Sequence, residues 1–235
     1  MAIAATKLTS GQDSDGGNTA TTASVTPTAN NLLLLTVTSK INTSTEPNDA
    51  TATGNGLTWE KVNSSYHDTG GTSRKKTTLL RSMGASPSAG AITIAFGGEN
   101  QDNITWSLSE LSGVDTSGTN GSGAIVQSAN NKQETGGTSL TVTLAAFSST
   151  SNATWGSFGS GGGSGVVMTA GTGFTLIDQV NSGTTHSQGT EFRVDNDTTV
   201  NITTDIGTSI GGIAVEVKAA PVASTVRHLA LLGIG

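Results

Sequence analysis

Apolar residues in this chain recur at every second position over short runs, and no stretch keeps them at the three-to-four-residue spacing of a helix face. In Ile104-Thr105-Trp106-Ser107-Leu108-Ser109 the alternation is strict. Successive side chains of a strand point to opposite faces, so Ile104, Trp106 and Leu108 are assigned to a core and the Thr and Ser face to water. Similar signals cover Asn31 to Ile41, Leu57 to Val62, Thr77 to Met83, Ala91 to Phe96 and Ile104 to Leu111 in the first half. The second half carries Ser139 to Ala145, Asn152 to Phe158, Gly173 to Ile177, Thr190 to Val194, Thr199 to Thr203 and Gly212 to Lys218. Between them lie clusters such as Asp68-Thr69-Gly70-Gly71, Gly97-Gly98-Glu99-Asn100 and Thr119-Asn120-Gly121-Ser122-Gly123, whose residues supply the positive φ of tight turns. Many short strands at close intervals read as a sandwich or a barrel, and the fold expected is all-β, an antiparallel β-sandwich.

Composition decides between that reading and disorder. Hydrophobic residues are 33% and charged residues 12% of the chain, both below the roughly 45–50% and 25% of an average globular protein. A disordered chain of this polarity would carry a high net charge, whereas the formal charge here is −6 and Thr, Val and Ile recur in the alternating runs. The pI near 4.9 argues against nucleic acid as a partner, because phosphates need a concentrated stripe of Lys and Arg. Arg74-Lys75-Lys76, a short basic cluster, reads as a solvated edge or loop that discourages stray strand pairing.

With no cysteine, disulfides, zinc-thiolate sites and thiol catalysis drop out together. The amino-terminal residues lack a basic segment followed by a long apolar core, and no apolar run reaches the ~18 residues of a membrane span. The expectation is a chain made without a secretion signal and with no membrane partner. One domain is expected over residues 1–220, with an N-terminal strand or arm. Gly159 to Gly165 reads as a long hairpin loop inside it, since apolar residues flank it on both sides. Residues 221–235 read as an apolar tail that either folds back onto its own domain or docks on a neighbour, with Val226, Leu229, Leu231, Leu232 and Ile234 the candidates for docking on a partner.

Chemistry-bearing motifs are sparse. His67, His186 and His228 are too scattered for a metal motif, and no glycine-x-serine-x-glycine elbow precedes a helix, so the histidines are read as structural and no catalytic residue is assigned. Glu60, Glu99, Glu110, Glu134, Glu191 and Glu216 sit apart, and nothing in their spacing picks out a hydrolytic pair. Asp13-Ser14-Asp15-Gly16-Gly17 and Asp195-Asn196-Asp197 gather oxygen ligands as calcium loops do, yet neither completes the twelve-residue pattern with its closing glutamate. No cofactor is therefore expected, with calcium the alternative at those two places. Trp59, Trp106 and Trp155 lie within strand patterns and are assigned to the core; an exposed Trp155 or Tyr66 beside a pocket would instead suggest a glycan platform.

The succession GLTWEKV from Gly56, TTLLRSM from Thr77, AITIAFGG from Ala91, WSLSELSGVD from Trp106 and TAGTGFTLI from Thr169 resembles β-sandwich virion structural proteins of tailed phages and related bacterial surface modules. The resemblance covers about residues 31–220 and rests on strand and turn signatures. It implies a jelly-roll-like or immunoglobulin-like sandwich used for capsid decoration, cementing or attachment. No functional residue carries over with it. The resulting expectation is a non-enzymatic capsid decoration or cement protein located in the virion. Its partners would be copies of itself and other virion proteins such as a major capsid protein. The alternative is a tail or fibre adhesion module that binds host surface glycan.

Overall fold

The structure is a computed structural model that describes residues 2–68, 70–162, 165–183 and 185–221. The docking candidates Val226, Leu229, Leu231, Leu232 and Ile234, and His228, lie outside the described residues. Strands in chain order are β1 (Ala4–Asp13), β2 (Thr19–Thr21), β3 (Leu32–Asn42), β4 (Thr51–Gly54), β5 (Leu57–Thr58), β6 (Glu60–Asp68), β7 (Ser73–Ser82) and β8 (Ile92–Ala95). They continue with β9 (Asn103–Ser112), β10 (Ile125–Thr143), β11 (Ala153–Gly161), β12 (Met168–Ala170), β13 (Thr175–Asn181), β14 (His186–Arg193) and β15 (Thr199–Val217). A single 3₁₀ turn at Ser122–Ala124 is the sole helical element among the described residues, and none there is long and apolar enough to cross a membrane. The chain is an all-β antiparallel sandwich, as the alternation indicates.

The described residues form three sheets, ordered β1-β9-β3-β7-β6, β10-β15-β11-β14-β13 with β12 beside β15, and β2-β8-β4-β5. The run Leu32-Leu33-Leu34-Leu35 shows why the first of them lies in the middle. Leu32 and Leu34 pack with Leu79, Leu111, Trp155, Ile213 and Val215 against the second sheet. Leu33 and Leu35 pack with Ile92, Ile94, Phe96 and Trp106 against the third. A strand buried on both faces needs a continuous apolar run, and alternation would leave one of those interfaces polar. Turns behave as their composition requires: Gly70, Gly71, Gly97, Gly98 and Gly121 all have positive φ.

The second sheet supplies a further layer by folding over itself. Nineteen residues at 3.3–3.4 Å each would make β10 and β15 about 60 Å long if straight. Instead their antiparallel register is interrupted between Gln133 and Ser139 of β10, opposite Thr203 to Ile210 of β15. The outer halves turn back across the sheet's far face. Leu140, Val142, Val200, Ile202 and Met168 thereby close a third core over Phe158, Ile210 and Ala214. Across the fold, Gln127 Nε2 of β10 donates to the carbonyl of Ala145, two residues past the strand's end, while the Ala145 N–H donates to Gln127 Oε1, both at 3.0 Å. Asn131 Nδ2 likewise donates to the Thr141 carbonyl at 2.8 Å. The fold point needs glycine, because a Cβ on Gly207 would stand 2.6 Å from the Gly136 carbonyl oxygen.

Two corrections to the sequence reading follow from this layering. Thr105, Ser107 and Ser109 do not meet water; they are buried because the second sheet covers that face of β9. Gly159 and Gly161 belong to β11 rather than to a loop, since neighbouring threonine, serine and lysine side chains leave no room for a Cβ at either position. Residues 163–164 of that glycine-rich stretch lie outside the described residues.

Trp155, fully buried at the centre of the first interface, anchors its apolar half and donates its indole N–H to Ser157 Oγ at 2.8 Å. Trp155→Ala is expected to lower the unfolding free energy by about 3–5 kcal/mol, measured by denaturant titration, because the cavity lies between two hydrogen-bonded sheets that cannot collapse into it.

Candidate functional site

The face of the first sheet that meets the second changes character along its strands. Near the Leu32 end it is apolar, with Leu32, Leu34, Leu79 and Leu111. Further along, strand pairing sets Ser65, Thr77, Thr38 and Thr105 in one cross-strand row, and His67, Lys75, Lys40 and Asn103 in the next. The two sides meet through hydroxyls: Thr36 Oγ1 lies 2.8 Å from Ser157 Oγ, and Gln188 Nε2 donates to the Thr36 carbonyl at 3.3 Å. A polar seam thus runs inside the sandwich and opens at its end.

Two histidines lie in that seam. His67 is fully buried and neither ring nitrogen has a hydrogen-bond partner among the described residues. His186 is held by Thr105 Oγ1 at 3.1 Å from Nε2 and by Thr185 Oγ1 at 3.2 Å from Nδ1. Burial, and then the charge of Lys75, depress both to about 3, so both are neutral near pH 7. His67 is carried by β6 and His186 by β14.

The basic cluster departs from the solvated-edge reading. β7 is an interior strand between β3 and β6, so its alternate side chains enter two different interfaces. Lys76, 9% exposed, is paired with Glu46 at 2.7 Å and Asp49 at 2.9 Å on one side. Lys75, 3% exposed, points the other way, and its ammonium donates to the Ser73 carbonyl at 3.2 Å and Ser73 Oγ at 3.1 Å. No carboxylate lies within ion-pair distance of Lys75 among the described residues, and burial followed by Lys40 lowers its pKa to about 8. Lys40 stands opposite it in register, 3.6 Å from Asp102.

Lys40, Lys75, Ser73, Thr185 and Thr208 line an open cleft of about 530 Å³, completed by the backbones of Gly136, Gly161, Gly162 and Gly207. No acidic residue is among them. A second cleft, about 390 Å³, is lined by Tyr66 with Glu46, Asn130, Asn131 and Lys132. Tyr66 is half-buried, its hydroxyl is hydrogen-bonded to Asp68 and Arg74, and Arg74 and Lys132 lie 5.7 and 5.3 Å from its ring centroid. Trp155 is too deeply buried to act as a sugar platform.

The remaining candidates do not assemble into a centre. Asp195 and Asp197 are both paired with Arg193, which occupies the place a cation would take. Asp13 uses Oδ1 to accept the Asp15 N–H at 3.0 Å. Among the described residues no group of three metal-ligating side chains comes together. Glu216 is held by Gln127 and Asn152 at 2.6 Å each, whereas Glu191, on β14, accepts one bond, from the Gly171 N–H at 3.0 Å. Sequence reasoning missed the basic cleft, although parity carried the signal: Lys75 and Thr77 share the parity of Leu79, and Lys40 that of Leu34. Comparison of the chain with protein-family models and with curated proteins finds no match in either.

Burial raises Glu191 to about 8, so its contribution to stability is complete below its ordinary value near 4.5 and is lost as pH rises through 8. The histidines act with the opposite sign. Their depressed values make stability complete above pH 6.5 and progressively lost as pH falls toward 3. Melting temperatures across pH 4 to 9 should therefore peak in the mildly acidic range. Glu191→Gln should melt above the unsubstituted protein at pH 8.5 and close to it at pH 4.5.

Proposed function

We propose that this chain is a non-enzymatic virion structural protein, a capsid decoration or cement protein of tailed-phage type that joins the shell through its C-terminal segment. The observation that carries the reading is that both ends of the folded body lie at one pole. β1 begins at Ala4 opposite Ser112, and Ala2 packs so closely on Gly113 that a Cβ there would fall 2.6 Å from the Ala2 carbonyl oxygen. The exit from β15 is fastened to the same turn. Val114 bridges Ala219, the Ala220 N–H donates to the Gly113 carbonyl at 2.9 Å, and Lys218 pairs with Asp115 at 2.6 Å.

Residues 221–235, with Val226, Leu229, Leu231, Leu232 and Ile234, start from that pole. An apolar segment at one end and a filled sandwich behind it suit a protein anchored at a point with its body held away from the support. Burial across neighbouring subunits would supply the affinity, at about 1,200–2,000 Å² for a specific interface. Symmetric copies would add avidity. Deleting residues 221–235 should leave the circular-dichroism spectrum and melting temperature of the body nearly unchanged and reduce incorporation into particles to background. Full incorporation of the truncated chain would refute the anchor.

The Tyr66 cleft favours a second reading, an adhesion module for surface glycan, since an aromatic ring lies there beside two amides and a carboxylate. Against it, the ring already has two cations close by. Saturable binding on a glycan array that Tyr66→Ala abolishes would favour the adhesion reading; a silent array favours the structural one.

A further inference from the structure

We propose that the cleft between Lys40 and Lys75 is a binding site for a tetrahedral oxyanion, a phosphate or sulfate group, held by the two ammonium groups and the Thr208 hydroxyl. The site lies at the pole opposite Ala2 and Ala220, which meet at Gly113. Lys40 is eight residues along β3 from Leu32, about 27 Å at the rise of an extended strand. On a body anchored at its termini the cleft would face outward, but the assignment rests on the cleft's own chemistry and stands apart from the anchoring.

An ammonium taken out of water without a counter-charge is costly, and Lys75 is almost fully buried with only Ser73 oxygens as acceptors. Lys40 intensifies the positive potential from the facing register position, and its nearest carboxylate, on Asp102, is 3.6 Å away and 40% exposed. The chain has 17 acidic residues and a net charge of −6, yet none of them lines this cleft. Thr208 lines it as well; it is 4% exposed and its hydroxyl has no partner among the described residues. Lys75 thus has only neutral acceptors, Lys40 only one distant carboxylate, and the Thr208 hydroxyl none among the described residues.

The cleft walls are shaped for close approach. A Cβ on Gly161 would stand 3.0 Å from Lys75 Nζ and 2.5 Å from Ser209 Oγ, so any side chain there would cap the ammonium. A Cβ on Gly136 would meet nothing within 4 Å, which places that backbone against open space. The choice of cation identifies the anion's shape. Guanidinium forks match planar carboxylates, whereas lysines are point charges that converge on a compact polyvalent anion, and the cleft contains lysines and no arginine. At about 530 Å³ it has room for a group bearing the oxyanion as well as for the ion alone.

The test is calorimetric titration of the full chain with inorganic phosphate, glucose 6-phosphate and glucose 6-sulfate at constant ionic strength, with sodium chloride as the control. Saturable one-site binding of at least one of the three is expected. Binding of inorganic phosphate would identify the ion as sufficient, and binding of the sugar esters alone would identify a substituent on a saccharide. Lys75→Met should abolish the response while melting in chloride at or above the unsubstituted protein, because it removes an unpaired buried charge. Thr208→Val, nearly isosteric, should weaken binding about tenfold, the worth of one hydrogen bond to a charged group. Absence of saturation with all three ligands, or equal binding by the unsubstituted, Lys75→Met and Thr208→Val chains, would overturn the site.

Discussion

Burial of β3 on both faces is the constraint from which the rest of the architecture follows. Four consecutive leucines can be satisfied only if apolar layers lie above and below the strand, so the sheet that contains it must be internal. Once it is internal, its neighbours β7 and β9 are internal too, and every side chain they carry must be matched by one of the covering sheets. That requirement explains buried lysines in a chain that is otherwise poor in charge.

The two ways of meeting the requirement differ. On the side of the third sheet, Lys76 is neutralised by Glu46 and Asp49. Facing the second sheet, Thr36 and Thr105 bond a hydroxyl, an amide and an imidazole across the interface, while Thr38 bonds the Thr77 hydroxyl within its own sheet. Lys75 alone is left with neutral acceptors. Buried polar networks are most costly where they are partly satisfied, and Lys75 stands where the seam opens to solvent.

How much of this was legible in the sequence depended on whether a strand's own residues define it. β3, β8 and β9 were placed within a residue or so of their observed ends because Leu32 to Ile41, Ile92 to Phe96 and Ile104 to Leu111 carry the alternation or the double-faced run themselves. β1 is anticipated only as an N-terminal strand or arm without bounds, and the first half of β10 is not located as a strand. Their residues are largely polar, and pairing with β9 or β15 is what makes them extended. The folding of the β10–β15 ribbon had no local signature either; Gly136 and Gly207 are far apart in sequence and matter only because their backbones meet. For the cleft, side-chain parity identified the lysines' neighbours, but nothing local could say that a second sheet would cover them.

The division of strands among layers bears on how the chain matures during synthesis. β1 to β9 build the first and third sheets by themselves, while every strand of the second sheet comes from β10 onward. As the polypeptide emerges, its leading half can close the interface around Phe96 and Trp106 but must wait with Leu32, Leu34, Leu79 and Leu111 uncovered. The threonines and lysines sharing that waiting surface interrupt its greasy expanse, so the same polar seam that shapes the mature cleft also tempers self-association of the half-made molecule.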